Sequence, residues 1–177
     1  RERPLRAPLR VGYGVQTLTL PPERTAEIVS DARRRFRVHN AGRRFVEARL
    51  FEALAEVSRV PTTAAEVRDR LRFAPEVREA LERMWPVLTP AELLHDLFGS
   101  KALIDLAASR YLDEDERRAL FRPRSDDVHS VVWTNDDVPL LDEARELLGP
   151  KPKRRRELNG ADDIRPYGHI VVAEAQD

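Results

Sequence analysis

His169-Ile-Val-Val-Ala-Glu-Ala-Gln-Asp177 is the stretch on which the fold assignment turns. Ile170, Val171 and Val172 run straight into an acid–amide–acid cluster, Glu174, Gln176 and Asp177. Strands of a parallel sheet covered on both faces read as continuous Val/Ile runs rather than alternating ones. Ligand sites in such sheets lie beyond the carboxyl ends of the strands. The pattern predicts a buried strand within 164–177 with polar groups at its mouth. A plain buried strand followed by an acidic helix start accounts for the same residues without any site, since carboxylates suit a helix N-terminus.

Upstream of that strand the chain reads as helical. Residues 1–20 are the exception: Leu9 to Leu20 alternate apolar and polar around Gly12 and Gly14, which predicts a small hairpin. Hairpins alone are marginal, so this one must dock on other elements. Residues 21–149 form the predicted helical body. Pro21-Pro22 can open a helix carrying Ile28, Ala32 and Phe36, with a break near His39-Asn40 and a weak turn at Gly42. Val46, Leu50, Ala53, Leu54 and Val57 then form one apolar stripe. Thr63 with Glu66, and Thr89 with Glu92, have capping-box spacing. Val77, Ala80, Leu81 and Met84 repeat at helical spacing before Trp85-Pro86 ends the helix. Leu93, Leu94, Leu97 and Phe98 make the next helix, closed by Gly99, and a further one is expected from Lys101 to Arg110. Asp113 with Glu116 caps a short helix ending near Phe121, and Arg122 to Asp127 is a polar loop. Val128 to Trp133 is expected to be extended. Val138 to Leu148 is expected to be a helix, with Leu140, Leu141, Ala144 and Leu147 or Leu148 inward and a stop at Gly149-Pro150. Residues 150–163, with Lys151, Lys153, Arg154, Arg155 and Arg156, read as a charged linker.

Composition narrows the chemistry. The 177 residues suffice for one sizeable core or two small ones. There is no cysteine, which excludes disulfides and thiolate metal sites, and the four histidines show no ligand spacing. No apolar run approaches a membrane span and no secretory signal opens the chain, so the expectation is a cytoplasmic protein without a membrane partner. The 31 basic and 31 acidic residues balance, so the distribution of charge is more informative than its total.

Tyr167-Gly-His-Ile-Val-Val-Ala-Glu-Ala-Gln-Asp177 resembles motif II, the Walker B strand, of superfamily 1 helicases of the UvrD/Rep type. Trp133-Thr-Asn-Asp-Asp-Val-Pro-Leu-Leu-Asp-Glu-Ala144 and Trp85-Pro-Val-Leu-Thr-Pro-Ala-Glu-Leu-Leu-His-Asp-Leu-Phe98 resemble segments of the HelD-type branch. The resemblance covers most of residues 85–177. It implies a mainly α fold: a helical, 1B-like insertion domain with an N-terminal β-hairpin and a C-terminal strand belonging to a P-loop-type α/β ATPase domain. It implies ATP and Mg²⁺ in the parent protein, with RNA polymerase and/or DNA as partners. Glu174 would be the catalytic glutamate that orients the attacking water, and Gln176 the γ-phosphate sensor. The family's Mg-associated aspartate is replaced here by Ala173, and a methyl group cannot ligate a hard cation. An impaired natural site, an engineered substitution and a coincidental likeness of the strand all fit that alanine. No Gly-x-x-x-x-Gly-Lys-Ser/Thr run occurs in the chain, so the phosphate cradle must come from elsewhere. The expectation is a piece of a larger ATPase, with no cofactor bound to the piece itself and no activity of its own.

Arg33, Arg34, Arg37, Arg43 and Arg44 form the strongest basic cluster, a candidate contact for nucleic-acid phosphates or an acidic protein surface. Positions 33, 37 and 44 share a face if one helix runs through them. A solvated helix face is the plain alternative, and aromatic interleaving is limited to Phe36 and Phe45. The Asp-Asp pairs read as caps and turn formers rather than a metal site. Trp85 is expected in the core; Trp133 is open between core and binding anchor. Three functions stay open: a DNA helicase or translocase domain, a polymerase-interaction module, and a structural helical spacer.

Overall fold

The computed structural model describes residues 2–151. The strand expected over 164–177, with Ala173, Glu174 and Gln176, lies outside the described residues, as does the linker beyond Lys151. Two strands come first, β1 (Leu9–Tyr13) and β2 (Gln16–Leu20). Eight α-helices follow among the described residues: α1 (Pro22–Arg35), α2 (Gly42–Glu56), α3 (Ala64–Leu71), α4 (Pro75–Met84), α5 (Pro90–Phe98), α6 (Lys101–Ala108), α7 (Glu114–Leu120) and α8 (Val138–Leu148).

The hairpin forms as the alternation predicts. Leu9 pairs with Leu20, Val11 with Leu18 and Tyr13 with Gln16, which puts Leu9, Val11, Leu18 and Leu20 on one buried face. Gly14, at φ 62°, supplies the left-handed residue that a two-residue hairpin loop needs. The apolar face docks on α2, α3 and α4. Around it, Ile28, Val29 and Ala32 of α1, Val46, Leu50, Phe51 and Leu54 of α2, Val67 of α3, and Val77, Leu81 and Met84 of α4 close the main core. Each fully buried side chain of this kind contributes roughly 1.5–3 kcal/mol. Val57, expected in the α2 stripe, instead caps the helix and is exposed, because the helical turn ends before it can face inward.

The capping boxes at Thr63–Glu66, Thr89–Glu92 and Asp113–Glu116 are all present. Trp85 ends α4 and is buried. A second, smaller lobe packs α5 against α8 and α6, and α6 against α7. Its buried apolar residues are Leu88, Leu94, Phe98, Ile104, Ala144 and Leu148. Two expectations fail here. Val128–Ser130 is a 3-10 turn rather than extended, because the Asp127 carboxylate captures the His129 N–H at 2.9 Å, a local bond that competes with strand geometry. Leu140 is exposed, because α8 is buried along Ala144 and Leu148, which leaves Leu140 and Leu147 on the open flank of that stripe. This lobe is tied by Arg122, which donates to both Asp137 carboxylate oxygens at 2.7 and 3.0 Å and lies 4.8 Å over the Phe98 ring. Asp137 is buried and also accepts from Thr134 N and Oγ1, and the guanidinium holds its carboxyl well below the usual range.

The two lobes meet at Asn40, between α1 and α2. Its side chain is fully buried. Nδ2 donates to the carbonyls of Leu88 and Gly149, both at 2.9 Å, and Oδ1 accepts from Leu88 N at 3.1 Å. The Asn40 backbone N–H donates to Leu148 O at 2.8 Å, and that of His39 to Leu147 O at 3.1 Å. Beside it, Gly42 packs under Trp85: a Cβ there would lie 2.6 Å from the indole ring. The Trp85 Nε1–H donates to His39 O at 2.7 Å. Replacing Asn40 with alanine leaves buried backbone groups of Leu88 and Gly149 without partners, so urea unfolding is expected to show a loss of about 2–4 kcal/mol. Asn40→Asp keeps the shape but removes both donors, and is expected to lose at least as much.

Candidate nucleic-acid or partner interface

The basic cluster does not lie on one continuous helix. Helix α1 stops at Arg35, where Phe36 turns to an extended φ/ψ of −117°/118°, and α2 begins at Gly42. Arg33 and Arg34 sit in the last turn of α1, Arg37 in the connection, and Arg43 and Arg44 in the first turn of α2. The structure gathers these five side chains around an elbow rather than along a stripe. The α1 arginines suit the negative end of that helix dipole. The α2 pair does not: two cations stand at a helix start that has no acidic residue in its first turn and no side-chain cap.

Arg43 shows what offsets that cost. Its guanidinium donates to the carbonyls of Leu81 and Trp85, which lie at the C-terminal end of α4, and to Glu82 at 2.7 Å. The Leu81 carbonyl also accepts the Trp85 N–H at 2.9 Å, so Arg43 adds a second bond there and supplies a partner for the Trp85 carbonyl beyond it. Arg43 is therefore part of the scaffold and half-buried. Arg33, Arg34, Arg37 and Arg44 are exposed. Arg34 bonds Ser30 at 2.9 Å and pairs with Asp31, one turn back. Arg33 donates to the Glu2 backbone carbonyl and lies 3.5 Å from its carboxylate. Arg35, outside the predicted set, lies 5.1 Å over Phe45, which makes a tilted pair with Phe36 at 5.6 Å between centroids. The aromatic pair and the arginines thus share the elbow, where the sequence interleaves them but does not show that the two rings pack together.

Glu2 and His39 complete this corner, and neither stands out in the sequence. Nothing in the residue pattern links an N-terminal glutamate to a residue 37 positions on. The Glu2 carboxylate lies 2.8 Å from His39 Nδ1, and chiefly for that reason its carboxyl falls to about 2. Among the described residues no group of three or more His, Cys, Asp or Glu side chains could hold a metal ion. No described helix is long and apolar enough to cross a membrane. No family model matches the chain, and no curated protein matches it.

Three outcomes follow from this geometry. Arg43→Ala strips α4 of its end cap and is expected to cost about 1–3 kcal/mol in urea unfolding. Arg34→Ala and Arg37→Ala should each stay within about 0.5 kcal/mol of the parent chain. The Glu2 carboxylate contributes stability that is fully present above its unfolded value near 4.5 and is lost as pH falls through about 2. Glu2→Gln should therefore flatten the acid limb of a stability-versus-pH curve in that window.

Proposed function

We propose that this chain is the helical insertion region of a superfamily 1 helicase-like ATPase of the HelD type, and that its α1–α2 elbow contacts RNA polymerase. The observation that carries the reading is the order of residues in Tyr167 to Asp177, a β-branched run delivering Glu174 and Gln176, together with the HelD-like segments at 85–98 and 133–144. A mainly helical body with a docked N-terminal hairpin is compatible with an insertion of this kind. The exposed Arg33, Arg34, Arg37 and Arg44 supply a cationic surface suited to an acidic protein face. In this reading Glu174 positions the attacking water and Gln176 reports the γ-phosphate, in a pocket whose phosphate cradle another part of the parent provides. The residues present do not fit Mg²⁺·ATP by themselves: Ala173 offers no oxygen, and the chain has no P-loop.

A DNA-contacting 1B-like role is the second reading. What favours it is the Phe36–Phe45 pair among the arginines, since aromatic rings beside cations can also stack bases.

Retention on immobilised core RNA polymerase, set against a salt-titrated DNA-binding assay, tests both. Polymerase retention that the combined Arg34→Glu, Arg37→Glu and Arg44→Glu substitutions abolish supports the first reading. DNA binding that weakens with salt at a log–log slope of about −0.9 per phosphate contact, without polymerase retention, supports the second. Absence of both refutes the elbow as an interface. The chain alone should hydrolyse no ATP. A steady-state ATPase signal from the purified chain, lost in Glu174→Gln, would overturn that expectation.

A further inference from the structure

The balanced total charge conceals an uneven division between the lobes. Residues 2–86 hold 17 arginines against 12 Asp and Glu, whereas residues 87–149 hold 14 Asp and Glu against seven Lys and Arg. A polyanion is therefore attracted to the hairpin-bearing lobe and repelled by the smaller one. On the hairpin-bearing lobe, the turn between β1 and β2 stands out. Val15 at its tip is fully exposed, so packing does not account for its side chain.

The turn is held from two sides. Gln16 Nε2 donates to Ser58 Oγ at 2.9 Å and Gln16 Oε1 accepts the Arg59 N–H at 3.0 Å, which seats the α2–α3 connection against it. The Tyr13 hydroxyl bonds Thr62 Oγ1 at 2.9 Å, and the Arg70 guanidinium lies 5.2 Å over the Tyr13 ring. Arg70 also flanks Gly14: its terminal nitrogens lie 3.9 and 4.0 Å from where a Cβ would stand. Three residues on, a tight turn is closed by the Ala74 N–H donating to Leu71 O at 2.9 Å. In it Arg72 lies 4.7 Å over the ring of Phe73, which is 72% exposed. Arg59, Arg70 and Arg72 are exposed, and among the described residues no ion pair holds any of them. The nearby carboxylates are engaged elsewhere. Glu66, one turn before Arg70, is taken by Thr62 and Thr63 in its capping box. Glu47 lies 3.6 Å from Arg68, and Glu56 pairs with Arg24. Asp69 projects about 100° round α3 from Arg70.

An exposed aromatic ring among uncommitted guanidiniums meets both needs of a single strand: a ring face for a base and positive charge for the phosphates. A duplex hides its base faces, and an acidic protein surface offers carboxylates without planar bases. We propose that the β1–β2 turn and the α3–α4 turn together form a binding face for single-stranded nucleic acid. Phe73 is its stacking platform, Arg59, Arg70 and Arg72 are its phosphate contacts, and Val15 is an apolar contact beside them. This face is separate from the elbow and depends on neither the polymerase nor the ATPase reading.

Fluorescence anisotropy of the full chain with a labelled oligothymidine of about 15 nucleotides, long enough for one single-strand site, tests the face. The oligothymidine–oligoadenosine duplex and polyglutamate serve as competitors. Affinity should fall with salt at a log–log slope of about −2, from three contacts at about −0.7 each. Arg59→Ala and Arg70→Ala should each flatten that slope by about 0.7. Phe73→Ala should weaken binding about fivefold or more with the slope unchanged, the size of one lost base stack. Phe73→Trp should bind at least as tightly as the parent chain, since any ring restores the platform. No binding at about 50 mM salt would overturn the proposal, because phosphate contacts are strongest there. So would competition by duplex or polyglutamate as effective as by unlabelled oligothymidine, or a Phe73→Ala chain that binds like the parent. Binding lost on combining Arg34→Glu, Arg37→Glu and Arg44→Glu, yet kept in Arg70→Ala and Phe73→Ala, would overturn it in favour of the elbow.

Discussion

A buried amide surrounded by backbone holds this structure together. Asn40 carries no charge and packs no apolar surface, yet its side chain joins the α4–α5 connection to the end of α8. A buried polar group is costly unless every donor and acceptor is used, and here the side chain uses both hydrogens and its oxygen. That completeness makes the junction specific. Aspartate could not donate to the two carbonyls and leucine could do neither task, so the two lobes are set by hydrogen-bond geometry more than by shared apolar contact. Trp85 and Gly42 form the apolar half of the same junction, with the indole filling the space that any side chain at position 42 would occupy.

The elbow beside Asn40 is where local rules conflict. Helix α2 begins with two arginines and no cap, against both capping preference and dipole sign. Natural sequences that break such a rule are compensated elsewhere. Arg43 is compensated by its bonds at the end of α4, whereas Arg33 and Arg34 bond Glu2, Ser30 and Asp31 while staying exposed. The contrast separates one basic residue enclosed by the fold from neighbours whose side chains remain exposed. It is also why a run of arginines in a sequence cannot be treated as one unit.

Local chemistry was readable before the structure. The hairpin, the capping boxes at Thr63, Thr89 and Asp113, and the stripes of α2 and α4 are set by neighbours within a few residues, so spacing reveals them. What spacing did not reveal depends on distant partners. His39 and Asn40 read only as a break, because their partners, Glu2, Pro86, Leu88 and Gly149, lie 37 to 109 positions away. Leu140 lies beside the buried stripe of α8, and only the contact with α5 decides which of the neighbouring leucines is covered. Val128–Ser130 was misjudged because one aspartate side chain outweighed the β-branched composition around it. For the proposed interface, the charges were legible and their division between scaffold and surface was not.

The span of the Asn40 bonds bears on the order in which the chain assembles. Leu88 is 48 residues from Asn40 and Gly149 is 109. Closing a loop of twice the length costs only about 0.6 kcal/mol more, so the second closure is hardly harder than the first. Both lobes are closed by elements distant in sequence, the main core by α4 on β1 and the smaller lobe by α8 on α5. Once formed, the smaller lobe is the cooperative unit with less buried apolar surface, and such units open first in sub-global fluctuations. In exchange from the native state, α5 to α8 would then breathe about the asparagine while the hairpin-bearing lobe stays closed.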